Sequence, residues 1–297
     1  MTPMCSTDLF THNKQKVREM DAILIERHFR SDLGNLRYIG LPASTLTDLA
    51  QWKEYFNHFS VVERGQPDQE FIYQHDLMLS AMRLGISRKL SLLRGDLDDV
   101  LLNGKDIFGN PVKYPFDVVS LDYSGGILYK DPTGAAKRPE SISKLCEEQA
   151  QHNLDFLLFL STNMDIQDQG EIKSTFDEIQ RDLSKIGIDV SRTTRAYRDH
   201  PLLEARLKVY VPYMIRNLTS RWFRCTTFKP IYYAGNKATR MMHFSFWLER
   251  TDEAVVGRPN KQTIIQLLDL PAFECTDGNL RQTSFEIDVV ETAVMID

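Results

Sequence analysis

RYIGLPASTLTDLAQWKEYFNHFSVVERG, residues 37–65, decides the fold. Residues 37–43 form a short apolar run stopped by Gly40-Leu41-Pro42. Ser44 and Thr45 follow as cap residues for a helix through residues 45–56. HFSVVERG at 58–65 reads as a second strand that ends on the acidic Glu63. A strand, a tight turn, a capped helix and a strand make a βαβ unit, and such units build parallel sheets.

The same alternation continues downstream. Residues 68–84 read as a helix closed near Gly85, 88–96 as a third strand, and PFDVVSLDY at 115–123 as a central strand because it is apolar nearly throughout. A polar stretch holding Gly104, Gly109 and Pro111 separates the last two. A helix over 139–153 leads into LDFLLFLSTN at 154–163, and a further helix spans 171–186. Upstream, residues 14–30 set Val17, Ile23, Leu24, Ile25, His28 and Phe29 on one broad stripe, the pattern of an amphipathic helix. Past Gly187, PIYYAG at 230–235 and MMHFSFWLER at 241–250 read as an antiparallel pair, and 284–292 as a late edge strand. The expected fold is α/β, a doubly wound and mostly parallel sheet with helices on both faces and a C-terminal antiparallel hairpin. An N-terminal helical segment at 1–35 packs on a main domain at 36–270, and 271–297 forms a tail or edge strand.

Composition supports an ordered chain. Its 297 residues are 42% hydrophobic and carry a formal charge of −5, with 15 Gly and 12 Pro, which excludes disorder and allows one large or two modest cores. No apolar run reaches the ~18–20 residues of a membrane span. Cys5, Cys146, Cys225 and Cys275 lie far apart with no CxxC pair, and the N-terminus lacks a secretory pattern, so a reducing cytoplasm is expected. His58, His75, His152 and His243 have no metal-ligand spacing, and no metal is expected.

Ligands of open parallel sheets bind at the carboxyl ends of the strands, where strand order reverses. Those ends offer Gly40-Leu41-Pro42, Glu63, Asp96-Leu97 and Asp122-Tyr123 followed by Ser124-Gly125-Gly126. Taken singly, Gly40 is ordinary turn chemistry and each acid is a solvated loop residue or a helix cap. Taken together, in this order and spacing, they resemble the class I S-adenosylmethionine-dependent methyltransferases, with a glycine loop reduced to one glycine. The resemblance covers about residues 14–250. It implies a Rossmann-like methyltransferase fold binding S-adenosylmethionine. Gly40, Leu41 and Pro42 would form the turn, Glu63 would bind the ribose hydroxyls, and Asp96 and Leu97 would lie at the adenine. Asp122 would contact the cofactor, and Asp122 and Tyr123 would serve as catalytic or substrate-binding residues. DYSGG lacks the two prolines of the amino-methylating nucleic-acid enzymes, so the target atom stays open.

GxSxG, GxxxxGK[ST] and GxGxxG are absent from the sequence, which leaves hydrolase, P-loop and dinucleotide readings without support. Residues 181–240 hold 13 Lys and Arg against 4 Asp and Glu. Interleaved with Tyr197, Tyr210, Tyr213, Trp222 and Phe223, these cations suggest phosphate attraction with base stacking, hence a nucleic-acid substrate. The bland alternative buries the aromatics and scatters the cations over several faces. Three functions therefore stand: a methyltransferase, favoured on nucleic acid; a non-catalytic Rossmann-like subunit that contacts nucleic acid, a partner protein or a second copy; and other chemistry on a nucleoside-type ligand.

Overall fold

The computed structural model describes residues 12–42, 46–64, 70–128, 136–165, 169–185, 189, 191–235, 239–251 and 261–283. Five strands, β1 (Leu36–Gly40), β2 (Phe56–Glu63), β3 (Leu90–Arg94), β4 (Val118–Asp122) and β5 (Phe156–Asn163), pair in parallel in the order β3-β2-β1-β4-β5. An antiparallel strand, β8 (Arg240–Arg250), continues the sheet beside β5. It also pairs with β6 (Phe223–Thr227) and β7 (Ile231–Ala234), and the β9 (Ala272–Thr276) and β10 (Asn279–Thr283) hairpin closes that side. The chain therefore has a doubly wound, Rossmann-like architecture, mostly parallel, with an antiparallel end. The edge strand expected at 284–292 lies outside the described residues.

Strand alternation divides the sheet's side chains between two cores. One face carries Tyr38, Phe59, Val61, Leu157 and Phe159, covered by α1 (His12–His28), α2 (Thr47–Trp52) and α3 (Glu70–Arg83) through Ile25, Leu49, Trp52 and Leu77. The other carries Ile39, Val119, Leu121, Leu158 and Phe246. It is covered by α4 (Leu97–Asn103), α5 (Lys137–Ala150), α6 (Gln169–Ser184), α7 (Ser191–Arg198), α8 (Leu203–Thr219) and α9 (Lys261–Asp269). β5 is buried along its whole length, as its unbroken apolar run requires.

Three differences from the sequence expectation bear on the site, besides α7, α8, α9, β6, β9 and β10, which were not expected as elements. α4 was not foreseen in the polar stretch; Asp96 starts it by accepting the Asp98 N–H at 3.0 Å, and Gly104 at φ 65 ends it. α2 is only six residues, and β2 starts early at Phe56, whose ring packs in the core beside Tyr38. The buried stripe of α1 consists of Val17, Arg18, Asp21, Ala22 and Ile25, whereas Ile23 is 49% exposed.

Among the described glycines, Gly40 has the closest neighbours on its side-chain position. A methyl built on it would strike the Tyr38 hydroxyl and lie 2.6 Å from the Ser120 carbonyl. Gly40→Ala is expected to cost about 1–3 kcal/mol, the usual penalty of overpacking, read from urea unfolding. In a Tyr38→Leu background the penalty should shrink; an equal penalty in both backgrounds would assign the conflict to the Ser120 carbonyl instead.

Candidate functional site

The register of the parallel strands creates a notch. Gly40, the last residue of β1, is level with Val61 on one side and Ser120 on the other. Both neighbours continue two residues further, to Glu63 and Asp122, or roughly 7 Å beyond the end of β1 at ~3.3 Å per residue. Alternation places Gly40, Glu63 and Asp122 on the same face, the one that α1 covers. Glu63 is level with Arg94, and the Gly95 N–H donates to the Glu63 carbonyl at 3.1 Å, which brings Asp96 to the same edge. The four residues scattered in sequence thus meet at one sheet edge, where strand order reverses between β1 and β4.

Their individual environments differ from the sequence reading. Gly40 admits the Tyr38 phenol, so the turn is not an open cradle on that face. Asp96 is the α4 cap, with Arg64 3.9 Å away. Leu97 is 4% exposed and packs with Val62, Leu93 and Val100, so its side chain belongs to the core. Pro42 is buried, and the half-buried Leu41 leans on the same core. Tyr123 is corrected outright as a ring offered to substrate. It is 4% exposed, donates to Asp98 Oδ1 at 2.9 Å, and lies beneath the Arg138 guanidinium at 4.3 Å. Ser141 also donates to Asp98, at 2.6 Å, and burial pushes the Asp98 carboxyl up while these two donors pull it back. Arg138 further donates to the Gly126 carbonyl, and the Gly125 carbonyl accepts from Thr162 Oγ1 at 3.1 Å. The turn at Gly125-Gly126 is thereby pinned from both sides.

Asp122 stands at the junction of two hollows. Its carboxylate faces Lys14 Nζ of α1 at 3.5 Å. On the solvent side a cleft of about 250 Å³ is bounded by Lys14, Asp122, Ser124, Asn163, Thr239 and Met241. On the inner side a chamber of about 30 Å³, room for a water, is lined by charged and polar groups from α1, α2 and four strands.

The chamber's walls form a buried network that the sequence did not reveal. His243 Nε2 faces Asp21 Oδ1 at 2.9 Å and His243 Nδ1 faces Ser161 Oγ at 3.0 Å. Ser245 donates to Asp21 Oδ1 at 3.2 Å. The tautomer that satisfies all three has Nε2–H donating to the carboxylate and Nδ1 accepting from Ser161. Beside it Arg18 pairs with Asp48 of α2, whose carboxyl burial pushes up against the pull of that arginine. Burial likewise pushes the Tyr38 phenol well above its ordinary value. Removing such ions from water costs several kcal/mol each, so buried pairs are weak evidence of stability and better evidence of a positional or chemical role. The available sequence signal was helical spacing: Lys14, Arg18, Asp21 and Ile25 fall at intervals of three and four on one face.

The basic segment does not form one surface. α8 begins near the site edge, where Arg206 donates to Gln169 and Glu204 pairs with Arg240, and its 17 residues run about 25 Å. It ends at β6, whose Phe223 is level with Arg250 at the far end of β8, so Arg221 and Arg224 lie at the opposite edge of the sheet. Tyr197, Tyr210, Tyr213 and Phe223 are buried. Lys208 is buried too, donates to the Leu268 and Leu270 carbonyls, and has its pKa lowered to about 8 by burial. Cys146, Cys225 and Cys275 are free thiols pushed up by burial. Among the described residues, no group of acidic, His and Cys side chains is arranged to hold a metal, and no helix is long and apolar enough to cross a membrane.

No family model and no curated protein matches the sequence. Among solved structures, the O-methyltransferase TomG from Streptomyces achromogenes, in complex with S-adenosylmethionine, is 12% identical. That match covers 80% of this chain and 88% of that one, at a TM-score of 0.41. The N-methyltransferase NodS from Bradyrhizobium japonicum, in complex with S-adenosyl-L-homocysteine, is 9% identical over 80% and 87%, at 0.40. A Rhodobacter sphaeroides protein designated a Zn-dependent alcohol dehydrogenase is 14% identical over 76% and 88%, at 0.37. Likeness at this level concerns general architecture, and the functional reading rests on the site's own geometry.

The network makes opposite forecasts for two neighbouring residues of α1. Asp21→Ala leaves buried donors of His243 and Ser245 without an acceptor and should cost about 1–3 kcal/mol. Ile23→Ala, on the exposed side, should stay within about 0.5 kcal/mol. Chemical denaturation of both variants checks this, and equal losses would mean that α1 is held by its apolar residues alone.

Proposed function

We propose that the chain is an S-adenosylmethionine-dependent methyltransferase whose cofactor lies across the carboxyl ends of β1 to β4 and whose acceptor enters the cleft at Asp122. The single supporting observation is the notch: β1 stops two residues short between strands that end in Glu63 and Asp122. The donor chemistry fits the adenosyl half of the cofactor. Glu63 offers a carboxylate to two ribose hydroxyls, and Asp96, part-exposed beyond β3, offers an acceptor to an exocyclic amine. Gly40 supplies no cradle, because Tyr38 occupies that side.

When bound, the cofactor supplies an electrophilic methyl on a sulfonium, a good leaving group, so the protein's task is chiefly alignment. Asp122 orients an acceptor O–H or N–H and takes its proton. The pinned 123–126 turn fixes Asp122 in place from the opposite face, and the narrow chamber behind it limits water at the reacting groups.

A second reading, a Rossmann-like subunit without catalysis, draws support from the Tyr38 ring at Gly40 and from Lys14 beside Asp122. Calorimetry with S-adenosylmethionine and its demethylated product separates the two. Binding is expected, weakened about tenfold or more by Glu63→Ala. Asp96→Ser keeps a cap acceptor but shortens the reach, and it should weaken binding as well. No heat at millimolar ligand would remove the first reading and leave the second.

For the acceptor, the excess of 13 Lys and Arg over 4 Asp and Glu in residues 181–240 supports nucleic acid, and the spread of those cations from the site edge to the opposite end of the sheet weighs against it. A labelled oligonucleotide should then shift on a gel, with affinity falling steeply between low and physiological salt. Weak, salt-independent retention would exclude it and leave a small molecule as the occupant of the cleft.

A further inference from the structure

Ser161 of β5 is level with His243 of β8, and Asp21 of α1 reaches that histidine from the covering helix. All three residues are buried, at 7%, 4% and 3% exposure. Ser161 Oγ lies 3.0 Å from His243 Nδ1, and His243 Nε2 lies 2.9 Å from Asp21 Oδ1. With Nε2–H on the carboxylate, Nδ1 keeps its lone pair for the Ser161 hydroxyl. A hydroxyl on an imidazole that a carboxylate orients is the arrangement that makes serine a nucleophile, and it is defined by geometry and roles, not by sequence position. The missing GxSxG therefore bears only on a strand-to-helix elbow, whereas this serine is carried within a strand. Fastening α1 to the sheet requires only the donors that fill Asp21, namely Nε2–H and the Ser245 hydroxyl. The Ser161 hydroxyl at Nδ1 is additional, and it faces a hollow.

The hollow gives that hydroxyl an approach. Ser161 and His243 both line the chamber of about 30 Å³, while Lys14 and Asp122 line the chamber and the cleft of about 250 Å³ alike. The Lys14–Asp122 pair is part-exposed and 3.5 Å long, a loose contact of the kind that contributes little stability. An electrophile in the cleft thus meets the chamber past a pair that parts at small cost. The chamber's size restricts the group that enters to about that of an acetyl, and the rest of the molecule stays in the cleft. The groups that an oxyanion requires stand on the same walls. The Tyr233 hydroxyl shares a hydrogen bond with Ser161, and Lys14 and Arg18 bring positive charge to the chamber.

We propose that Ser161, His243 and Asp21 form a nucleophile, base and orienting acid that cleave short-chain acyl esters, an activity separate from methyl transfer. Ser161 Oγ attacks the ester carbonyl and its proton passes to His243 Nδ1, while Asp21 holds Nε2–H. Collapse of the tetrahedral intermediate breaks the bond to the leaving alcohol, which takes the proton from Nδ1 and leaves Ser161 acylated. Water then gives its proton to Nδ1 and attacks the acyl carbon. The carboxylic acid departs, and the proton returns to Ser161 Oγ. The balance is one ester and one water for one acid and one alcohol, with no other reactant. Nothing in this scheme depends on S-adenosylmethionine.

The probe is p-nitrophenyl acetate with the full chain. Nitrophenolate release should be at least about tenfold faster for the native chain than for Ser161→Ala, which removes one hydroxyl and leaves the rest of the network in place. Acid quenching followed by peptide mass spectrometry should find the acetyl group on Ser161. His243→Gln should abolish both signals, and Asp21→Asn, which keeps the shape but no longer favours the Nε2–H tautomer, should slow release about tenfold or more. Near-ultraviolet circular dichroism and thermal unfolding identify any variant that has lost the fold, and in that event Ser161→Ala and the site of acetylation decide alone. A merely structural serine would change the unfolding temperature on substitution and carry no acetyl in the native chain. Equal rates for the native chain and Ser161→Ala, or acetyl groups on Lys14 or other lysines and none on Ser161, overturn the proposal. Either result leaves the methyltransferase reading untouched.

Discussion

Tyr38 and Gly40 lie two residues apart on one face of β1, and the ring of the first covers the backbone of the second. Much of the site depends on that contact. The ring anchors a set of aromatic side chains, Trp52, Phe56 and Phe59, that seats α2 and the start of β2 on the sheet. Aromatic groups of this size dominate core energetics, so this end of β1 is fixed firmly. In return the turn after β1 loses the open space that glycine elsewhere leaves for a ligand. The notch is consequently defined by its rims, Glu63 and Asp122, and not by its floor.

The second determinant is α1. An amphipathic helix usually covers a sheet with apolar residues, but here the stripe that faces β5, β7 and β8 carries Arg18 and Asp21, matched by Asp48, Ser161, His243 and Ser245. A network of this kind tolerates few arrangements, because each donor must find its acceptor in a region of low dielectric. It therefore fixes the axial position of α1 more sharply than apolar contacts would. Lys14, one turn before Arg18, is delivered to Asp122 as a result.

The sheet was legible in the sequence wherever a strand is buried on both faces. β4 and β5 are unbroken apolar runs, and β1 and β2 are punctuated by Gly-Leu-Pro and by a terminal acid. Their placement in one parallel sheet followed from alternation with helices. Short or mixed elements were not legible. α4 has seven residues, two of them consecutive aspartates in its first turn, and it reads as loop until its cap is seen. The β9 and β10 strands are part-exposed and carry no continuous apolar pattern. In the site, the strand-end residues could be named because topology alone sends them to one edge. Their environments could not, because they depend on partners far away in sequence: Asp98 and Arg138 for Tyr123, Lys14 for Asp122, Tyr38 for Gly40. Hydrophobicity also misplaced the buried stripe of α1, since it scores Ile23 and Leu24 above Arg18 and Asp21.

The position of the polar network bears on whether the fold is more than a scaffold. Burying Asp21 and His243 costs desolvation that a well-packed apolar pair of the same volume would avoid, and such replacements are often neutral or stabilising. A sheet kept only for its shape has no evident use for that cost on the α1 face, least of all beside a strand end where a carboxylate and an ammonium share a cleft. The opposite face offers a comparison. There Asp98 is also buried, but its donors tie α4, α5 and the 123–126 turn together, which accounts for it as a fastening. The Asp21 network fastens as well, yet it also lines a water-sized chamber that opens towards Asp122. A fastening has no need of a hollow, whereas a group that must take up a proton or be approached by a ligand does. The asymmetry between the two faces therefore favours a ligand-binding site at the β4 end over a fold retained for its outline.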